Sequence, residues 1–309
     1  MEVLTKEFLK SGRKGTAVNG VALIKDYTIQ LTKTGSEYVT GTLISGETIS
    51  FKAWSNSSAF TQLKANDFSN VPSLILGSFD EYNGVVSIIV SNVTAVEGFT
   101  LDQFLPVKYN ADAYFKGLRG ICEKVVSEKG LVFLDTILFK NDEVVKRFCI
   151  EFAAKSHHDN CKSGLLAHTY KVVSNTVFLM SQYSGLVQNS QDIKDLLVIG
   201  AVLHDLGKIW EMNLGTYQPC SVVTHRYLGA EYIGRYKDKL VESYNIDWYY
   251  NLISIFLQHH GEFDDDCRSV YAQIIHTADL LDADFTTLAS AIESAVDKRI
   301  KFRDKYLSF

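Results

Sequence analysis

The stretch LLVIGAVLHDLGK, residues 196–208, ends an almost wholly apolar run with a histidine and an aspartate side by side. Near a helix C-terminus a histidine can simply complement the dipole, but an aspartate faces the partial negative charge there. A nearby cation removes that cost, and a metal ion is the strongest candidate. Lys208 adds a positive group one turn later, and Gly207 is expected to end the helix. The stretch predicts a buried helix that presents His204 and Asp205 to a cation.

All eight histidines lie between His157 and His276, and the first half of the chain has none. This segregation points to one site. In SGLLAHTYKVV, helical spacing places His168 on an apolar stripe, where the alternative is a core histidine bonded to a carbonyl. His259 and His260 end a second apolar run, and two adjacent imidazoles avoid mutual repulsion if they are neutral and bound to metal.

Two further positions complete the candidate set. In SVVTHRYLG, Thr224 is expected to cap a helix that starts with His225, whose alternative is an exposed histidine in the capping turn. In HTADLLDA, Asp279 sits among apolar residues, and a buried carboxylate is costly unless it is paired or bound to metal. Asp282 is expected behind the ligands or at the surface. Imidazole mixed with carboxylate suits Mn, Fe, Zn, Co or Ni, and the set suffices for two ions sharing Asp205. The candidate ligands are His168, His204, Asp205, His225, His259, His260 and Asp279.

The first hundred residues read as five strands rich in β-branched and aromatic residues, with a short helix in NSSAFTQLKAND between the third and fourth. This pattern predicts a small Greek-key barrel, the OB-fold, with an all-β sandwich as its competitor. After Gly98 the period becomes helical and continues so to the end. We therefore predict a multidomain chain, with an OB-fold over residues 1–100, an all-α domain over residues 101–309 and a boundary near residues 98–108.

The bulk composition bounds the class of protein. A net charge of −5 and a pI of about 5.9 argue against a strongly basic protein that coats phosphates. The N-terminus lacks the apolar core of a secretory signal, and no run reaches the roughly 18 apolar residues of a membrane span. The five cysteines are scattered, without a C-x-x-C pair, and are read as reduced thiols. A cytoplasmic protein is expected, with no membrane partner; homo-oligomerisation is left open.

The order of His168, the His204–Asp205 pair and Asp279 resembles the HD-domain phosphohydrolases, which are helical metal-dependent enzymes. The added His225 and His259–His260 resemble the bimetallic branch of that superfamily. A closer resemblance is to the YhaM-type 3′-5′ exoribonucleases, in which an OB-fold precedes an HD domain. It is carried, over roughly residues 20–285, by SGETISFKAW, HHDNCKSGLLAH, AVLHDLGKIWEM, LQHHGEFD and HTADLLDA.

The resemblance implies a hydrolase that shortens single-stranded RNA, and often DNA, from the 3′ end and releases nucleoside 5′-monophosphates. It implies divalent metal, foremost two Mn²⁺ ions, with Fe, Co, Ni, Zn or Mg as other candidates. Asp205 and Lys208 are the expected catalytic residues: the metals activate water to attack the phosphodiester, and Lys208 faces substrate phosphate.

The barrel is expected to hold upstream nucleotides by stacking and phosphate contacts. Strand alternation puts Phe51 and Trp54 on opposite faces, so at most one is expected to reach nucleic acid. The alternative is barrel core for the aromatic residues, and a solvent-exposed helix start for His157 and His158. The candidate nucleic-acid contacts are Trp54, Phe51, Lys52, Phe79, Tyr82, His157 and His158.

Two other functions remain open at the level of sequence. An HD phosphohydrolase can act as a phosphodiesterase on a small cyclic or linear nucleotide, because a fold does not fix its substrate. A non-catalytic single-strand-binding protein is the third reading, and the intact ligand set argues against it.

Overall fold

The chain forms two compact units, Met1–Val107 and Lys108–Phe309. The computed structural model describes residues 1–82, 84–154, 159–263, 266–295, 298–303 and 305–309. Residues 101–107, predicted with the helical domain, belong to the first unit. The reason is Phe104, which is buried beside Val21, Leu23 and Ile44 of that unit.

The first unit is a closed five-stranded barrel with the strand order β1-β2-β3-β5-β4. Neighbouring strands pair antiparallel, except that β3 and β5 are parallel. Helix α2 lies between β3 and β4 in the sequence, as predicted. This is the OB-fold arrangement, so the sandwich alternative is wrong. The elements are α1 (Lys6–Ser11), β1 (Ala17–Leu31), β2 (Glu37–Ile44), β3 (Thr48–Trp54), α2 (Ser58–Ala65), β4 (Val71–Tyr82) and β5 (Val85–Ala95).

Alternation along β3 decides which side chains fill the barrel. Phe51 and Ala53 are fully buried in the barrel core, whereas Lys52 is partly exposed and Trp54 is exposed. Successive side chains of a strand point to opposite faces, so Lys52 and Trp54 share the outer face. Phe79 of β4 is buried in the same core as Phe51.

The second unit is a helical bundle with one large hydrophobic core. Five free cysteines are distributed through it, as the sequence predicted. Within the described residues, no helix combines the length and apolarity needed to cross a bilayer. Its helices are α3 (Ala111–Val125), α4 (Glu128–Leu134), which continues into a π-helical turn (Asp135–Phe139), α5 (Asp142–Ile150), α6 (Gly164–Gln182), α7 (Gln191–Leu203), α8 (Lys208–Glu211), α9 (Thr224–Gly234), α10 (Lys237–Ser243), α11 (Ile246–Gln258) and α12 (Val270–Ser294).

Helix α7 is the central element of this bundle. Ser190 begins it by accepting a hydrogen bond from the backbone N–H of Ile193. Every residue from Asp195 to Leu203 is buried, because α7 packs against α3, α4, α6, α11 and α12. A helix that is apolar on all sides belongs in a core. Its C-terminal end therefore delivers His204 and Asp205 into the interior of the unit.

Short strands also occur in this unit, and they correct the prediction of helices to the chain end. The last described residues form a hairpin, in which Ile300 is buried while Arg299 and Lys301 are exposed. Alternation of this kind favours a strand over a helix. The strands are β6 (Met212–Asn213), β7 (Thr216–Tyr217), β8 (Arg299–Phe302) and β9 (Lys305–Ser308).

Candidate metal centre

The predicted ligands come from five helices and converge in one place. His168 lies in α6, His225 is the second residue of α9 and Asp279 lies in α12. The His204–Asp205 pair directly follows α7, and the His259–His260 pair directly follows α11. Their ligand atoms form two groups, each with all atoms within 4.8 Å of one another. The two groups are His168, His204 and Asp279, and Asp205, His225, His259 and His260.

The Asp205 carboxylate joins the two groups. Its Oδ2 lies 3.4 Å from His168 Nε2 and 3.5 Å from His204 Nε2. Its Oδ1 lies 3.4 Å from His225 Nε2 and 3.5 Å from His259 Nε2. One oxygen therefore faces each group. We call the Oδ2 side, with His168, His204 and Asp279, the first half, and the Oδ1 side, with His225, His259 and His260, the second half.

Hydrogen bonds assign the proton of four imidazoles to Nδ1. The Nδ1 of His168 lies 2.7 Å from Asp282 Oδ2, and that of His225 lies 2.9 Å from Glu211 Oε2. The Nδ1 of His204 lies 2.8 Å from the Ala201 carbonyl oxygen, and that of His259 faces two carbonyl oxygens of α11. Every one of these partners is an acceptor, so each Nδ1 donates. In the neutral rings, each Nε2 then carries a lone pair directed toward Asp205.

This convergence leaves acceptor atoms facing acceptor atoms. The Oδ1 atom of Asp205 faces His225 Nε2 and His259 Nε2. These three atoms are buried without a hydrogen-bond partner among the described residues. Buried polar atoms normally have partners, and leaving them without one is costly. Lone pairs and carboxylate oxygens so arranged match the donor set of a divalent cation.

Electrostatics keeps the centre in a form that binds cations. Burial lowers the pKa of His204, and it lowers the pKa of His259 to about 3, so both rings are neutral at pH 7. Burial alone would raise the pKa of Asp205, but the Lys208 ammonium and nearby imidazoles hold it well below its usual value. Burial opposes protonation of His168, yet the carboxylates around it raise its pKa well above the ordinary value. That surplus of negative charge favours positive charge in the first half.

Comparison with known proteins bears on this geometry. The family model described as HD domain matches residues 165–284, which span His168 to Asp279. The helical unit contains an HD domain.

Two curated relatives carry the same name, 3'-5' exoribonuclease YhaM. The protein from Bacillus velezensis is 30% identical over 162 residues, 48% of this chain and 49% of that protein. The protein from Shouchella clausii is 26% identical over 303 residues, 92% of this chain and 89% of that protein. The chain thus spans about half of the first relative and most of the second.

A solved replication protein A heterotrimer bound to ssDNA also resembles the chain. It is 14% identical, has a TM-score of 0.24 and covers 31% of this chain and 81% of its own. Because that TM-score is low, the assignment of the barrel as an OB-fold rests on its strand order.

Lys208 lies next to the first half of the candidate metal centre. Its Nζ is 2.6 Å from Asp205 Oδ2, and its side chain is only 15% exposed. Its ammonium therefore neutralises part of the charge on the shared carboxylate.

Two expectations about the segments next to the HD motif are wrong. Thr224 does not cap α9 with its side chain; the Oε1 atom of Glu211 accepts the backbone N–H of His225 at 3.0 Å. Gly207 does not adopt the left-handed conformation of a helix-ending glycine. A Cβ atom there would lie 1.9 Å from the His225 carbonyl oxygen, so Gly207 allows the chain to pass against α9.

The supporting role of Glu211 could not be recognised in the sequence. Its contact with His225 joins residues 14 apart, and no helical or strand spacing indicates such a pair. Asp282 did carry a signal, because it follows Asp279 by three residues on α12. It lies behind His168 and contacts Lys171 Nζ at 2.9 Å.

The candidate contacts in the barrel divide by exposure. Phe51 and Phe79 are 0% and 1% exposed, so their assignment to nucleic-acid stacking is wrong; both rings fill the barrel core. Trp54 and Tyr82 are 39% and 72% exposed, and Lys52 is partly exposed. His157 and His158 lie outside the described residues.

Proposed function

We propose that this protein is a metal-dependent 3′-5′ exonuclease that degrades single-stranded RNA, and also DNA, to nucleoside 5′-monophosphates. The observation that carries the proposal is the convergence of four imidazole Nε2 atoms around the Asp205 carboxylate. The name of both curated relatives, 3'-5' exoribonuclease, supports the direction of degradation and the RNA substrate.

The proposed cofactor is a pair of Mn²⁺ ions. His168, His204 and Asp279 would hold one ion with Asp205 Oδ2, and His225, His259 and His260 would hold the other with Asp205 Oδ1. The mixed nitrogen and oxygen ligands suit Mn²⁺ better than Ca²⁺ or Mg²⁺, which prefer oxygen alone. When bound, such ions supply an activated water and neutralise the negative charge of the phosphodiester.

Two residues of the chain are assigned to the reaction itself. Asp205 fixes the relation between the two halves, because its two oxygens belong to one planar group. Lys208 keeps positive charge at the edge of the first half, where its Nζ contacts Asp205 Oδ2 at 2.6 Å. An ammonium in that position orients a phosphate and stabilises charge on its non-bridging oxygens.

The barrel is assigned to holding the single strand. Trp54 lies opposite Tyr38 of β2, and their ring centroids are 5.3 Å apart. Lys52 shares the outer face of β3 with Trp54, so an aromatic surface adjoins a positive charge. Aromatic faces stack with bases of any sequence, and cations contact the backbone. Exposed Tyr82, at the end of β4, is assigned to the same task.

The test is incubation with end-labelled single-stranded RNA or DNA and Mn²⁺, followed by sizing of the products. Stepwise release of nucleoside 5′-monophosphates from the 3′ end is expected from the parent protein, and none from Asp205→Ala. Hydrolysis of small nucleotides alone would favour the small-nucleotide phosphodiesterase. Strand binding without cleavage at any metal concentration would favour the non-catalytic reading.

A further inference from the structure

The four imidazoles that donate through Nδ1 are supported in two different ways. His204 and His259 donate to carbonyl oxygens of the helix that each one follows. His168 and His225 donate instead to carboxylates, Asp282 and Glu211, which lie far from them in the chain. Each half of the metal centre therefore contains one imidazole that is supported by a carboxylate.

Glu211 makes two bonds to the same residue. Its Oε2 lies 2.9 Å from the His225 Nδ1, and its Oε1 accepts the His225 backbone N–H at 3.0 Å. The carboxylate is buried at the end of α8, and its bond to the N–H satisfies a donor in the first turn of α9. One side chain thus fixes both the ring and the backbone of His225.

The same short segment holds His225 from a second side. Gly207 lies close to the His225 carbonyl oxygen, and no side chain larger than hydrogen fits between them. Gly207 directly precedes helix α8 and Glu211 is its last residue, and this helix begins three residues after Asp205. The turn after the HD pair therefore sets the distance between the shared carboxylate and the second half.

A carboxylate on Nδ1–H does more than orient an imidazole. It increases the electron density at Nε2 and makes that nitrogen a stronger ligand, and loss of such partners typically weakens metal binding by about 10- to 100-fold. Glu211 contacts His225 and no other imidazole among the described contacts of this centre. Its effect is therefore confined to the second half.

We propose that Glu211 is a positioning residue that sets the affinity of the second half for its ion, independently of the first half. This inference rests on the proposed two-ion function. Asp282 has the corresponding role in the first half through His168.

The decisive variant is Glu211→Gln. In the carboxylate's place an amide offers one oxygen and one NH2 group, so one of the two His225 donors, ring or backbone, then faces another donor. Mn²⁺ titration followed by calorimetry and by electron paramagnetic resonance is expected to show two ions in the parent protein. In Glu211→Gln, one ion is expected to bind about 10- to 100-fold more weakly. One Mn²⁺ concentration is chosen that fills both halves of the parent protein but only the first half of Glu211→Gln. There the parent protein is expected to give the spectrum of two coupled Mn²⁺ ions, and the variant that of single Mn²⁺ ions.

Glu151→Gln is the matched control. Glu151 is also a buried glutamate of the helical unit, and it accepts backbone N–H groups of Phe152, Leu214 and Gly215. Its amide variant is expected to keep both ions at parental affinity. Asp282→Asn is expected to weaken the other ion and to leave the second half filled.

The outcomes distinguish the role of Glu211 from the existence of a two-ion site. One weakened ion in Glu211→Gln, with two in Glu151→Gln, supports the inference. Two ions of unchanged affinity in Glu211→Gln overturn it and leave the proposed function standing. Loss of both ions from Glu211→Gln overturns it too, because Glu211 would then support the whole centre. A parent protein that binds fewer than two Mn²⁺ ions overturns the two-ion site itself.

Discussion

Replacing Asp205 by asparagine is expected to abolish stabilisation by both metal ions, whereas replacing Asp279 is expected to abolish that of one. Asp205 presents one oxygen to each half, at 3.4–3.5 Å from two imidazoles on either side. Asp279 belongs to the first half alone, where its Oδ1 lies 3.2 Å from His168 Nε2. The two variants remove one carboxylate charge each, so only their positions differ.

The size of the effect follows from binding linkage. An ion present at about 100 times its dissociation constant stabilises the folded state by about 2.7 kcal/mol, so two ions contribute about 5 kcal/mol. In a unit the size of Lys108–Phe309, each kcal/mol moves the melting temperature by about 2–4 °C. The parent protein is therefore expected to gain about 10–20 °C with Mn²⁺. Asp279→Asn is expected to keep about half of that gain, and Asp205→Asn almost none.

The assay is thermal unfolding, followed by helical circular dichroism, with chelator and with Mn²⁺. Asp284→Asn is the control, since Asp284 also lies on α12 but pairs with Arg303. It is expected to keep the full metal-dependent gain. If Asp205→Asn keeps half of the gain or more, or if Asp279→Asn loses all of it, Asp205 is not a carboxylate shared by two ions.

Other substitutions and conditions give three further tests. Trp54→Ala is expected to weaken binding of long single strands, measured by anisotropy, while hydrolysis of a small chromogenic phosphodiester is unchanged; equal losses in both would exclude a role in holding the strand. Gly207→Ala is expected to destabilise the fold by about 1–3 kcal/mol in denaturant titrations, because its methyl group would meet the His225 carbonyl oxygen. Gly120→Ala is its control, because that Cβ meets no atom within 4 Å and is expected to be neutral or stabilising by up to about 1 kcal/mol. Removal of metal by a chelator is expected to stop nucleotide release, and added Mn²⁺ to restore it; full activity after chelation, with metal content checked by mass spectrometry, would contradict metal dependence.

Residues whose burial is costly could be recognised in the sequence. His204 and Asp205 end an apolar run, and Asp279 sits among apolar side chains, so each was expected to meet a cation. The structure brings all three together with His168, His225, His259 and His260. The strand pattern likewise predicted the barrel, because alternation and the intervening helix are local properties.

Contacts between distant segments could not be predicted in this way. Glu211 is attached to His225 by the packing of α8 on α9, and nothing in their spacing indicates it. Gly207 was predicted to end a helix because glycine is common in the left-handed turn that follows helices. The sequence does not distinguish such a glycine from one that lets two backbone segments approach closely. Alternation showed that Phe51 and Trp54 face opposite ways, but not that Phe51 was the inward one.

The meeting of five helices at one carboxylate has a consequence for motion in the helical unit. Ligands from α6, α7, α9, α11 and α12 are separated by up to 111 residues of chain, from His168 to Asp279. Ions bound there would cross-link the five helices noncovalently. A helix could then detach only if its ligands released an ion. Amide hydrogen exchange near the centre should then slow together across all five helices when metal is added, and these separate segments should open as a single unit.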